Sequence, residues 1–223
     1  MAAVVVAVVL VAGACGVFAL VAGGGPPPVS ETSFSPLPSA TASLAGGTNG
    51  TWNLDASSGS FVGYRIREKL AMLSAPSDAV GRTTAVTGTL TLNGTNVTAV
   101  DVKADLTQLT SDEARRDDRI RTDGLQTDTF PDAEFVLTSP ISLGKKPAQG
   151  ATVNATAQGT LTLHGATKDI TVPVQARWSG NAIQVIATIP VVFADYNIVA
   201  PNSGFVSVED HGTIEVSLTF TKS

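Results

Sequence analysis

Thr213–Thr221, TIEVSLTFT, alternates without a break: Ile214, Val216, Leu218 and Phe220 are apolar, and the residues between them are Thr, Glu or Ser. Successive side chains of a β-strand point to opposite faces, so this stretch has one buried and one wet face. The same period of two runs through Val86–Leu92, Val100–Leu106, Val153–Leu163, Ile170–Trp178 and Ile183–Phe193, and more briefly through Phe135 and Leu137. A first strand expected over Trp52 to Ile66 brings the number to eight. Asn93-Gly94, His164-Gly165, Ser179-Gly180-Asn181 and Asn202-Ser203-Gly204 are turn signals between them. Pro173 and Pro190 fall on the outward parity and are expected at bulges or weakly paired ends.

Eight antiparallel strands with one apolar face either stack as a sandwich or close into an up-and-down barrel. Closure removes the edges that long Thr/Val strands would leave open to aggregation. The inward positions then carry the functional information. Gly88, Ala104, Ala155, Ala157, Gly159, Ala176 and Ala187 are small where a packed core places Leu, Ile or Phe. A barrel of this size is either filled by side chains or wide enough for one small ligand, and small residues favour the second. The opposing reading has Phe61, Trp178, Phe193 and Phe220 interdigitating with them to fill the space.

The charge is concentrated elsewhere. Nine of the twelve residues from Asp112 to Asp123 are charged, against 15% for the whole chain. Thr110 and Glu113 read as a capping box that opens a short helix, and Gly124 as its end. Asp112 with Arg116, and Asp117 with Arg121, are spaced to pair on one helical face. The signs nearly cancel, which suits an internal ion-pair network better than a phosphate-binding surface. Asp117 and Arg121 share a side with Ala114 and Leu125 and are expected to close one end of the barrel. Phe130-Pro131 turns the chain into the next strand.

Ala2 to Gly25 contains no charged residue and is long enough to span a membrane. An uncleaved anchor, a signal peptide cut near Ala22-Gly23, and lipid attachment at Cys15 after Ala12-Gly13-Ala14 all remain open, and each exports the remainder. Cys15 is the single cysteine, so the exported part has no disulfide. Residues 26–50, rich in Gly, Pro, Ser, Thr and Ala, read as a disordered linker, and 51–223 as one β-barrel domain. A net charge of −5 argues against nucleic acid as a partner.

Several pieces of the chain resemble the YceI-like family: Trp52-Asn53-Leu54-Asp55, Arg116-Asp117 with Ile120-Arg121, Phe130-Pro131 followed by Phe135, and the ten residues Gly159 to Lys168, GTLTLHGATK. The pattern departs from the family's usual wording at Arg119, where a histidine is common, and at Leu125-Gln126, where an aromatic pair is common. The resemblance implies an exported, lipocalin-like barrel that binds polyisoprenoids or other long-chain amphiphiles, without catalytic residues.

No nucleophile, base and oxyanion site converge in the sequence, and no phosphate loop occurs. His164 and His211 are the two histidines, both beside a glycine, and Glu209-Asp210-His211 is the one cluster with any metal-ligating character. The expectation is therefore a non-enzymatic, membrane-tethered carrier with no metal or cofactor. The expected ligand contacts are Phe61, Ala104, Phe135, Leu137, Ala157, Leu161, Trp178, Ala187, Ile189, Phe193, Tyr196 and Phe220, with Arg116, Asp117 and Arg121 at the rim. The alternative is a filled structural module of the envelope.

Overall fold

The structure, a computed structural model, describes residues 26–34, 48–71, 75–200, 202–203 and 206–222. The expected membrane segment with Cys15, and most of the linker, lie outside these residues. Among the described residues no helix is long and apolar enough to cross a membrane.

The strands, in chain order, are β1 (Gly50–Leu54), β2 (Phe61–Leu70), β3 (Ser77–Thr83), β4 (Val86–Asn93), β5 (Asn96–Asp105) and β6 (Thr110–Ser111). They continue with β7 (Asp132–Ser139), β8 (Ile141–Ser142), β9 (Thr152–Leu163), β10 (Ala166–Ser179), β11 (Ala182–Val192), β12 (Asn202–Ser203), β13 (Val206–Val208) and β14 (His211–Thr221). One short helix, α1 (Ala114–Arg119), runs into a π-helical turn at Ile120–Gly124.

These strands form a closed antiparallel barrel of eight staves. Two staves are broken. β1 and β2 share one, interrupted by a 3-10 turn at Ala56–Ser58, and β4 and β3 share its neighbour. β5, β7, β9, β10, β11 and β14 complete the circle. β14 closes it twice, pairing Phe220 with Leu54 of β1 and residues 213–217 with residues 65–61 of β2. The expected first strand is thus two strands, with Asp55 accepting from Ser57 N–H to cap the turn between them. β3 is absent from the sequence reading because its buried Ala79 and Val80 are adjacent and do not alternate.

The expected bulges at Pro173 and Pro190 are not found. Pro173 pairs with Thr156 and Pro190 with Thr213 inside continuous ladders. The register shifts lie instead beside Leu92 in β4 and Leu137 in β7. The helix also starts later than expected, because Thr110 and Ser111 are taken by β6, which pairs with Gly81 and Arg82 of β3. Glu113 is the N-cap, its carboxylate accepting from Arg115 N–H at 3.2 Å.

The outer wall carries a buried charge. Glu215 of β14 is 1% exposed although it points away from the tunnel. It lies in one cross-strand row with Gly63 of β2 and Arg82 of β3. A Cβ on Gly63 would meet the Arg82 side chain, so the bare position is what lets Arg82 cross β2 to reach Glu215. Arg65 reaches the same carboxylate at 2.7 Å and Asp78 at 3.2 Å.

Residues 26–34 of the expected linker lie against this wall. The Arg65 guanidinium donates to the Pro26 carbonyl at 2.5 Å, and Gln175 donates to Glu31 at 3.1 Å. The Arg177 guanidinium stacks over the Phe34 ring at 4.5 Å. Gln184 and Ile186 of β11, between the contacted strands, are buried on their outward side. Phe34 is the main apolar anchor, and truncating it removes roughly 2 kcal/mol of burial. We expect Phe34→Ala to make the 26–34 segment cleavable by limited proteolysis while the barrel's melting temperature moves little. An unchanged cleavage pattern would show that the polar contacts alone hold it.

Candidate functional site

Alternation aims Ala104, Ala155, Ala157, Ala176 and Ala187 into the barrel, and their small size leaves its middle open. A chamber of about 190 Å³ runs there, walled mostly by Val, Leu, Ile and Ala, with Phe135, Trp178 and Phe220, and with Thr48, Glu134 and Lys146 also lining it. A second chamber of about 590 Å³ lies under α1 and is bounded by Leu106, Leu109, Leu163, Val191 and Phe193. Val62, Ala133 and Ile214 line both, so the two chambers abut at the barrel's waist. The smaller, narrow chamber is thus mostly apolar, and the larger, wide one is edged by charge.

Not every bare position contributes to it. A Cβ on Gly88 would meet the Asp101 carbonyl and Val102, and one on Gly159 would meet the Val136 carbonyl and the Phe135 ring. These glycines admit neighbouring strands and a ring, while the alanines make the room.

Of the contacts expected from sequence, Ala104, Phe135, Ala157, Leu161, Trp178, Ala187, Ile189 and Phe220 line the narrow chamber and Phe193 the wide one. Three lie elsewhere. Phe61 faces out of β2, whose inward residues are Val62, Tyr64, Ile66 and Glu68, and serves as a platform for Arg82 at 4.1 Å. Leu137 packs into the core cluster around Trp52 beside the register shift. Tyr196 is buried in the turn after β11, where its carbonyl is 3.0 Å from His164 Nδ1.

The rim also differs from expectation. Arg116 does edge the wide chamber, bonded to Asp112 at 2.6 Å and to Glu68 of β2 at 2.8 Å. Burial works against its charge, but the two carboxylates outweigh it and hold its pKa above the ordinary arginine range. Asp117 and Arg121 do not pair with each other or reach the chamber. Asp117 is buried and accepts from the Ser111 hydroxyl at 2.6 Å and its N–H at 3.1 Å. Arg121 donates to the Leu109 carbonyl at 3.1 Å and to Asp118 at 2.7 Å. Both fasten the helical segment over the barrel end.

Glu68 and Tyr64 are the functional candidates that the sequence reading missed. Both occupy inward positions of β2, a polar parity break in an otherwise apolar face that could have marked them. The Tyr64 ring lies against Gly81, where no side chain intervenes. Its hydroxyl is buried beside Ser111 without a hydrogen bond of acceptable geometry. Burial pushes the phenol's pKa up to about 12 against the pull of Arg116.

The histidines play no part in the tunnel. His164 sits at φ 48° in the β9–β10 turn, edge-on to Phe130 at 4.6 Å. His211 is exposed between Asp210 at 2.9 Å and Glu209 at 3.3 Å, and the Asp210 bond raises its pKa. Among the described residues, no three potential ligands are grouped to hold a metal ion.

With this geometry established, residues 52–220 match the YceI-like domain family over most of the chain. The chain belongs to the YceI-like family. A UPF0312 protein of Vibrio vulnificus is 32% identical over 141 residues, covering 59% of this chain and 71% of that protein. A UPF0312 protein of Vibrio parahaemolyticus is 30% identical over the same length. Among solved structures, a polyisoprenoid binding domain from Saccharophagus degradans superposes with a TM-score of 0.61 at 19% identity, covering 77% of this chain and 98% of that one. BcnA from Burkholderia cenocepacia does so at 0.57 and 20% identity, covering 74% and 98%. At these identities the likeness is one of fold. The YceI-like barrel accounts for the GTLTLHGATK stretch, which supplies the end of β9, the positive-φ turn and the start of β10.

Proposed function

We propose that this YceI-like domain binds one long-chain amphiphile, a polyisoprenoid or quinone-like lipid, with its tail in the tunnel, and that it works outside the cytoplasmic membrane. The observation that carries the reading is the pair of mostly apolar chambers that share walls inside the barrel. Each buried methylene contributes about 0.8 kcal/mol, so a tail laid along such a wall binds tightly without polar contacts. An empty apolar space forfeits dispersion contacts on every side, which favours an occupant. The polyisoprenoid binding domain of Saccharophagus degradans, with the same fold, supports this ligand class. The uncharged run of residues 2–25 supports export and tethering. A filled structural module is disfavoured by the open middle.

The test is to express the full chain, recover it from the membrane fraction, extract it with organic solvent and analyse the extract by mass spectrometry. A stoichiometric long-chain lipid is expected. A protein that carries none, and takes up none when delipidated and offered prenyl lipids, would overturn the carrier. Recovery from the cytosol would overturn the location alone.

A further inference from the structure

The strap formed by residues 26–34 has a direction. Its first residue, Pro26, is held by Arg65, an outward residue of β2 between Tyr64 and Ile66, and both of those line the wide chamber. Its last, Phe34, stacks with Arg177 of β10, between Ala176 and Trp178, which line the narrow one. Glu31 meets Gln175 between these points. The strap therefore follows the outer wall from the level of the wide chamber to that of the narrow one. Along β14 the rows of Arg65 and Arg177 are those of Thr213 and Thr219, a rise of about 20 Å. The chain that precedes Pro26 is the uncharged run, in which Gly23, Gly24 and Gly25 are all that separates Ala22 from Pro26. Three residues reach at most about 11 Å. A run held in a bilayer up to Ala22 thus brings the Arg65 level of the wall close to the lipid, and the tether is too short to let the narrow end sit there instead.

We propose that the strap holds the domain with its wide-chamber end against the lipid surface of the membrane, so that an amphiphile passes between bilayer and barrel at that end. The inference rests on the tethering proposed above, and not on the identity of the ligand. The rim suits a lipid surface without depending on its charge. Val199, which edges the wide chamber, is 77% exposed. Along the same rim the exposed charges around α1, Arg115 and Arg119 against Asp112 and Glu113, cancel. Anionic lipid therefore adds little, and the strap sets the orientation.

The full chain is reconstituted in phosphatidylcholine vesicles, with and without phosphatidylglycerol, that carry a nitroxide quencher on the lipid head group. A maleimide dye is attached through Val199→Cys at the wide rim, or through Asn181→Cys in the exposed β10–β11 turn beside the narrow chamber. The unaltered chain reports any labelling of Cys15. The dye at the Val199 position is expected to be quenched several-fold more than the dye at the Asn181 position, alike in both lipids. Inserting about 20 Gly/Ser residues between Gly25 and Pro26, a linker whose ends lie about 25 Å apart, removes the difference. Equal quenching in the parent, stronger quenching at the Asn181 position, a difference that survives the insertion, or one that needs phosphatidylglycerol overturns the inference. If the labelled chains float with the vesicles in those cases, the tethering stands. A chain left behind when the vesicles float overturns both, and the organic extract described above still decides whether the barrel carries a lipid.

Discussion

Ala157→Trp is expected to lower the affinity for a long prenyl tail about a hundredfold while the barrel stays folded. Ala157 is 4% exposed, lies in the middle of β9 opposite Val172, and lines the narrow chamber. An indole there occupies the space of three or four methylenes of the tail. At about 0.8 kcal/mol for each, the loss is roughly 3 kcal/mol, or two orders of magnitude in Kd. Overpacking costs about 1–3 kcal/mol of stability, so Ala157→Leu is made in parallel as a milder step. Tail-length dependence is the decisive readout. Short tails that stop at the waist keep their affinity in both variants, and long ones lose it in the order of side-chain size. Equal affinity for long tails in all three proteins would place the ligand outside the narrow chamber.

Glu215→Ala is expected to destabilise the domain by about 3–5 kcal/mol, the usual cost of removing one partner of a buried ion pair. The carboxylate is 1% exposed and receives Arg65 at 2.7 Å and Arg82 at 3.4 Å, while Arg82 Nε is already without a partner. Removing it leaves two guanidinium groups facing each other across Gly63. Urea denaturation measures the change, and Glu215→Gln, which keeps the shape and an acceptor oxygen, loses less. Ligand affinity is unaffected in both, since this row lies on the outer wall. A change below about 1 kcal/mol for Glu215→Ala would mean that water or a rearranged Asp78 replaces the lost carboxylate. Burial opposes ionisation of Asp78, but its bonds to Arg67 and Arg65 prevail and keep its pKa below the usual carboxylate value. Its contribution is therefore present above the unfolded-state pKa and disappears as pH falls through the lowered folded one.

Strand content was legible wherever one face is dry and the other wet, as in Ile214–Phe220. It was illegible where that condition fails. In β3, Ala79 and Val80 are buried on opposite sides, so no alternation survives. Phe61 looked like a cavity residue because it is large and apolar, but the turn at Ala56–Ser58 resets the strand and its parity faces out. The alanine positions were correctly read as room, whereas Gly88 and Gly159 serve the close approach of neighbours. The charged stretch was placed at the barrel end and Asp112 pairs with Arg116 as its spacing suggested, yet its other partners were not legible. Helical spacing suggested Asp117 with Arg121, while the fold supplies Ser111, Leu109 and Glu68 from other segments. The charged edge of the wide chamber could not be read from local pattern, since Glu68 meets Arg116 only through the tertiary fold.

The double pairing of β14 has a bearing on biosynthesis. Its residues, 211–221, are made after every other strand of the barrel, and they alone join β11 to both halves of the first stave. Until they emerge from the ribosome, the sheet is an open trough whose greasy interior faces water. The tunnel is therefore not enclosed until β14 has been made and has paired on both sides.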